Sequence, residues 1–270
     1  MSNSTNIIIK RSEENFVSVI IPVKIRIEHF QRALNSLLGQ DYSNNEVVII
    51  DDSGSTDIQD MLKDGDSRIK YYRGPGKTLG SALNFGISKT SYGIIARMDG
   101  DDLSGRERIK KQLGLLLSDK VKAEVIGSNA VYIDSEGKEI LKRKYPERND
   151  DIKFYMPVTT AMLHPTMMTF KRVLTDSGGY DESLRNTEDQ ELFLRLLDRG
   201  YRFYNSQEYL YNYRIREDIL SIDSETINTS YRIGKKYLEE SRDSAEKYNA
   251  DLILQTALLE YYKGSPSVAR

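Results

Sequence analysis

Two short β-branched runs, each ending where the chain turns abruptly polar or kinked, constrain the fold more than anything else in the sequence. Residues 17–21, Val-Ser-Val-Ile-Ile, run into Pro22, and residues 46–50, Glu-Val-Val-Ile-Ile, run into Asp51-Asp52. Runs this short and this continuously apolar suit strands buried on both faces, as in a parallel sheet covered by helices. Parallel neighbours need a crossover, and Phe30, Leu34, Leu37 and Leu38 supply one at helical spacing until Gly39 stops it. The segment therefore predicts a right-handed βαβ unit. A third apolar run at 69–72, a helical pattern through Leu79, Leu83 and Ile87, and a fourth run over 93–98 ending at Asp99 continue the alternation. The fold class expected is α/β, with an open, doubly wound, mostly parallel sheet flanked by helices.

Beyond residue 100 the spacing of Ile109, Leu113 and Leu116 predicts another helix, and 124–133 reads as a strand closed by the turn Asp134-Ser-Glu-Gly137. Residues 141–160, rich in Lys, Arg, Tyr and Pro, have weak periodicity and read as a surface excursion facing substrate. A helix follows over 188–200, then an aromatic segment over 201–213, then two helical patterns over 225–263. The organisation expected is a tail over 1–15, a catalytic domain over 16–220 and a C-terminal helical extension over 221–270. In that extension Leu254, Leu258 and Tyr261, widened by Leu252, Ile253, Leu259 and Tyr262, give a broad apolar arc. Glu239, Glu240, Asp243, Glu246 and Asp251 offset Lys235, Lys236 and Lys247, so the arc is expected to pack on the catalytic domain or on a second subunit in a homo-oligomer rather than on a membrane.

The acids fall where ligands of parallel sheets bind, beyond the carboxyl ends of the strands. Asp51 and Asp52 follow one strand, and Asp99, Asp101 and Asp102 follow another. In an extended segment Asp99 and Asp101 share a face and Asp102 turns away. The chain has no cysteine and only two histidines, His29 and His164. Sulfur-based zinc sites and thiol chemistry are thereby excluded, and a hard cation, Mn²⁺ or Mg²⁺, held by one or two carboxylates plus substrate phosphates is the metal expected. With 39 Lys+Arg against 41 Asp+Glu, bulk charge points to no nucleic-acid partner. Gly74-Pro-Gly76-Lys77-Thr78 follows a strand but lacks the glycine spacing of a phosphate-binding P-loop, Tyr71 standing where glycine is needed, and reads as an ordinary turn opening a helix. Thr187-Glu188-Asp189-Gln190 has the form of a capping box. It sets Glu188 and Asp189 in a first helical turn, where the helix dipole favours an ionised Asp189 able to accept a proton. His164, fixed before Pro165 in an extended or turn conformation, reads on its own as a satisfied structural histidine. Arg214 and Arg216 read on their own as solvated arginines.

Taken together, Val17 to Pro22, the segment from Glu46 to Asp57, Ala82 to Gly86, Ala96 to Asp102 and Thr187 to Asp189 resemble family 2 glycosyltransferases of the inverting GT-A type, in particular the bacterial exopolysaccharide and O-antigen enzymes. The resemblance implies a GT-A, Rossmann-like sheet and a nucleotide-sugar donor. On it, Pro22, Val23 and Asp52 hold base and ribose, Arg97 and Asp99 belong to the donor site, and Asp101 and Asp102 meet the diphosphate and its metal. The resemblance likewise implies Asp189 as the catalytic base, Glu188 and His164 at a glycan or lipid-linked acceptor, and Arg214 and Arg216, which follow Tyr211 and Tyr213 as in the family's Tyr-Arg segment, as phosphate contacts. Lys24-Ile25 replaces the Tyr-Asn usual after Pro-Val, Ser53 stands as an insertion, and Gly105 takes a common proline position. The identity of the base, the choice between Asp51 and Asp52, and the setting of Lys24 stay open.

The chemistry implied is one displacement: a divalent cation stabilises the leaving diphosphate while Asp189 deprotonates the attacking hydroxyl, inverting the anomeric carbon. A nucleotidyltransferase making a nucleotide sugar would use the same sheet and acids. It would open with a glycine-rich loop after the first strand, and Pro22-Val-Lys-Ile-Arg26 has no glycine. A sugar-binding module would need neither the metal acids nor Asp189. No apolar run approaches the ~20 residues that span a bilayer and the first 14 residues do not resemble a signal peptide, so a cytoplasmic protein, with or without a peripheral membrane contact, is expected.

Overall fold

The computed structural model describes residues 15–24, 27–62, 65–215 and 224–240. Four strands, β1 (Val17–Val23), β2 (Asn45–Asp51), β3 (Ile69–Arg73) and β4 (Ile94–Arg97), pair in the order β3-β2-β1-β4, all parallel. Every residue of β2 is buried, as its unbroken apolar run requires. β1 continues through Pro22, two residues beyond Ile20, where its pairing with β4 ends. Helix α1 (Ile27–Leu38) covers the sheet with Phe30, Leu34 and Leu37, each side chain contributing roughly 1.5–3 kcal/mol by burial. The short helix α2 (Asp57–Met61) follows β2, and α3 (Leu79–Lys89) packs on β1 and β2 through Ala82, Leu83 and Ile87. A Cβ on Gly86 would stand 2.7 Å from Ile20 Cγ2, so the helix lies against the sheet as closely as glycine allows.

The other half of the sheet is mixed. After β5 (Leu103–Ser104) and α4 (Arg108–Leu116) comes β6 (Val125–Ile133), then β7 (Glu139–Arg143), α5 (Asn149–Tyr155) and β8 (Met168–Phe170). β8 pairs antiparallel with both β4 and β6, joining the two halves. Helices α6 (Lys171–Asp176) and α7 (Glu188–Asp198) lead to β9 (Phe203–Arg214), which runs parallel to β6 and antiparallel to β5. The all-parallel pattern thus holds for the first four strands. The region expected as an irregular excursion is instead an edge strand and a helix: all five residues of β7 are exposed, so no alternation of burial marks it in the sequence.

Helix α8 (Ser224–Glu240) lies against α7, with Ser230 Oγ donating to Gln190 Oε1 at 2.7 Å and Leu238 buried. The start of the C-terminal extension therefore packs on the catalytic domain. The apolar arc over 252–262 lies outside the described residues. No helix among the described residues is long and apolar enough to cross a membrane.

Candidate active site

Strand order reverses between β1 and β4, since the chain goes from β1 to β2 on one side and returns to β4 on the other. Ligands of open α/β sheets bind at such a switch point. A cleft of about 330 Å³ opens there, lined by the end of β1 (Pro22, Val23, Lys24), Asp52, the start of α3 (Lys77 to Leu79) and the turn from Asp99 to Asp101. Ala82 on α3 and Asn186, just before α7, complete the lining. Five expected donor-site residues, Pro22, Val23, Asp52, Asp99 and Asp101, therefore meet in one cavity.

The two acids after β2 separate. Asp51 is fully buried and its carboxylate accepts from Tyr71 Oη at 2.7 Å, Arg73 Nη1 at 3.1 Å and the Ser53 amide at 2.8 Å, so it does not join the acidic cluster. Asp52 faces the cleft, and its Oδ1 accepts from the Gly76 amide at 2.8 Å. The Gly-Pro-Gly turn comes so close to Asp52 that a Cβ on Gly74 would lie 2.2 Å from Oδ1. Glycine there serves close approach to a carboxylate, which is why the segment looks like a phosphate loop without its spacing.

The three acids after β4 also divide, through a turn rather than an extended segment. Asp99 and Asp101 line the cleft, while Asp102, 1% exposed, points into the core. There its Oδ2 accepts from Tyr211 Oη and its Oδ1 from the Arg214 amide, each at 2.7 Å. Burial, reinforced by the charges of Asp99 and Asp101, raises the Asp102 carboxyl well above the usual range. Both oxygens are engaged by the protein, an arrangement that braces the turn. Tyr211 in turn accepts from the Asp99 amide and stacks on the buried guanidinium of Arg108, 4.9 Å from its ring centre. Arg214 is buried rather than solvated, with Nε donating to the Asp101 carbonyl and Nη1 to the Asp134 and Ser135 carbonyls. Arg216 lies outside the described residues.

Arg97 does not line the cleft. It is 2% exposed and grips Asp99 through Nη1 at 3.1 Å and Nη2 at 2.6 Å. It therefore acts on the cleft through Asp99. Burial is the largest single influence and opposes its charge, yet Asp99 together with Tyr211, Tyr180 and Asp102 outweighs it and its pKa is raised.

Helix α7 begins at Glu188, as its periodicity predicts, and its chain leaves the helix through Gly200 at φ +84°. The capping box does not form: Thr187 makes no side-chain cap and its Oγ1 is buried without a partner. Gln190 is drawn away instead, its Nε2 donating to the Pro157 carbonyl and its Oε1 accepting from Ser230. The box forms at α3, between Thr78 and Ser81. Asp189 accepts from the Gln190 amide, and burial raises its pKa, against the direction expected from the helix dipole alone. Glu188 is 4% exposed with Oε2 buried and unpartnered; burial and then the Asp189 charge push its pKa up to about 7. His164 is a core residue, 5% exposed, with Nε2 2.8 Å from Tyr180 Oη and its ring packed on Phe193. Burial lowers its pKa well below 6.5, leaving a neutral brace rather than an open acceptor contact.

Lys77, Thr78, Leu79 and Asn186 are lining residues that sequence reasoning missed. Thr78-x-x-Ser81 carried a signal, since serine at the third helical position closes a capping box as glutamate would. Asn186, at φ +62°, adopts the left-handed region that asparagine tolerates better than most residues.

The profile of glycosyl transferase family 2 matches residues 18–179. The O-antigen biosynthesis glycosyltransferase WbnJ of Escherichia coli is 35% identical over 207 residues, covering 74% of this chain and 80% of WbnJ. The amylovoran biosynthesis glycosyltransferase AmsE of Erwinia amylovora is 30% identical over 217 residues, 76% of this chain and 78% of AmsE. The crystal structure of S. aureus TarS residues 1–349 in complex with UDP-GlcNAc superposes with a TM-score of 0.71 at 20% identity, over 94% of this chain and 74% of that one. The fold is thus that of the GT-A enzymes. The chain belongs to glycosyl transferase family 2, and it is a glycosyltransferase; nucleotidyl transfer and non-catalytic sugar binding are set aside.

Proposed function

We infer that this enzyme transfers a sugar from a nucleoside-diphosphate donor, a UDP-sugar, to a hydroxyl of a glycan or lipid-linked acceptor with inversion, in the assembly of O-antigen or exopolysaccharide. Its setting on this reading is the cytoplasm, with a peripheral membrane contact where the acceptor is lipid-linked. The observation that carries the reading is the meeting of Pro22, Val23, Asp52, Asp99 and Asp101 in one cleft at the switch point of the sheet. The biosynthetic roles in the names of WbnJ and AmsE, and the UDP-GlcNAc bound to TarS, support it.

The residues fit a divalent cation. Asp101 offers a hard oxygen donor on the cleft wall, and among the described residues no three of His, Cys, Asp or Glu form a metal cage. A site of one carboxylate completed by diphosphate and water is the usual economy of Mg²⁺ or Mn²⁺. When bound, the ion offsets negative charge developing on the leaving diphosphate. The chain's own residues do the rest. Asp52 meets the ribose, and Arg97 fixes Asp99 on the cleft wall. Asp189 takes the proton of the attacking hydroxyl, its raised pKa making it a better base than an ordinary aspartate. Glu188, neutral below about pH 7, presents its carboxyl to the acceptor.

Incubating the enzyme with a panel of UDP-sugars, Mn²⁺ and a lipid-linked glycan fraction, and measuring UDP release, tests this. One donor should release UDP, and EDTA should abolish the release. Asp189→Asn should slow turnover by ~10²–10⁴-fold while UDP affinity stays within about threefold. Loss of UDP binding in step with turnover would move Asp189 into the donor site.

A further inference from the structure

Two lysines line the cleft without a partner among the described residues. Lys24 follows β1, and Lys77 immediately precedes the Thr78 cap of α3. Lysines beside acids do pair with them: Lys70 meets Glu46 at 2.7 Å, and Lys111 meets Glu107 at 2.8 Å and Glu208 at 2.6 Å. Carboxylates are close at hand in the cleft, yet two are committed to other groups. Asp52 Oδ1 holds the Gly76 amide and Asp99 holds Arg97. Two ammonium groups on the wall of a concave site, with no acid of their own, are arranged for an anion that the chain does not supply. Lys24 also stands where the resemblance leads one to expect a tyrosine, so a neutral ring is replaced by a charge at the nucleotide pocket.

We propose that Lys24 and Lys77 grip the donor's diphosphate directly, giving the cleft an affinity for nucleoside diphosphates that does not require a divalent cation. This rests on the nucleotide-sugar reading of the cleft. The diphosphate is the matching partner because a nucleoside carries no charge to answer two lysines, whereas each phosphate offers acceptor oxygens to a compact, freely rotating donor.

Calorimetric titration of the full chain in EDTA, with UDP, uridine and inorganic pyrophosphate as probes, tests the grip. The wild type should bind UDP at least ~10-fold tighter than uridine, pyrophosphate should compete, and rising salt should weaken UDP binding. Lys24→Ala and Lys77→Ala should each weaken UDP by ~5–10-fold and leave uridine unchanged, with Lys77→Arg recovering much of the loss. Both lysines are exposed, so thermal melts of the variants should match the wild type. Equal affinity for UDP and uridine in EDTA, variants that bind UDP like the wild type, or variants that lose uridine and UDP alike would each overturn the proposal. Failure of UDP, GDP, ADP and dTDP to bind even with Mn²⁺ would sink the nucleotide-sugar reading instead. In that case pyrophosphate still judges the lysines: binding lost in both variants upholds an anion grip, and no binding removes it.

Discussion

Asp101 and Asp102 are adjacent in sequence and opposite in setting, and substitution should separate them. Asp101→Ala removes a carboxylate from the cleft wall, so it should abolish most metal-dependent turnover with a smaller loss of stability than Asp102→Ala. Asp102→Ala strands the Tyr211 hydroxyl and the Arg214 amide in the core and should cost roughly 2–5 kcal/mol in urea denaturation, whatever it does to turnover. Equal stability of the two variants would return Asp102 to the metal. Glu188 gives a prediction in pH. Its pKa is 4.5 in the unfolded reference and about 7 in the fold, so between these values the native state holds a proton that the unfolded chain has released. The stability this contributes is complete below about pH 4.5 and is lost as pH rises through about 7, up to roughly 3 kcal/mol for a shift of this size. Glu188→Gln should match the wild type near pH 4.5 and exceed its stability by pH 8; parallel curves for the two proteins would show that Glu188 titrates normally. At this scale the cleft acids were legible because strand ends in parallel sheets are where ligands bind. Asp102 and His164 were not, because their settings depend on Tyr211, Arg214 and Tyr180, residues that only the folded sheet brings near.

Elements carry these residues into register, and α3 shows how tightly. The helix is anchored at its start by Thr78 and along its length by Gly86, whose missing side chain lets it sit against Ile20 and Ile50. Gly86→Ala gains up to ~1 kcal/mol in helix propensity but forces a methyl to 2.7 Å from Ile20 Cγ2 and 3.3 Å from Ile50 Cγ1. Overpacking of this kind costs about 1–3 kcal/mol, so the net change should be destabilising, and movement of α3 off the sheet would relieve the contact. That displaces Lys77 to Leu79 in the cleft, so UDP affinity should fall together with the denaturation midpoint. A destabilised variant with wild-type UDP affinity would show that the cleft wall moves independently of the helix. The long elements were readable because their periodicity runs over several turns or a whole buried strand. β8, three residues long, is too short for a period, β7 has no buried face to show one, and the Thr187 box fails because α8 competes for Gln190.

At the scale of the molecule, the parallel half of the sheet ends in the cleft, and the mixed half brings Asp102's partners and α7 to its side. This division makes three classes of backbone amide distinguishable by hydrogen exchange. At a donor concentration 100 times Kd, binding to the native state alone stabilises it by about 2.7 kcal/mol, so amides of β1 and β2 that exchange only on global unfolding should slow by about 100-fold. Amides at 52, 74–82 and 99–101, in or beside the cleft lining, should slow by direct shielding, including those that exchange quickly in the free enzyme. β7 is an exposed edge strand that, among the described residues, pairs only with β6, so its outward amides open locally and should exchange at one rate with and without donor. The cleft would lose its claim if a UDP-sugar with Mn²⁺ protected β7 and α5 while leaving 74–82 and 99–101 unchanged. Protection confined to those two loops, with no slowing in β1 and β2, would mean that the core strands exchange by local opening and that donor binding does not reach them through global stability.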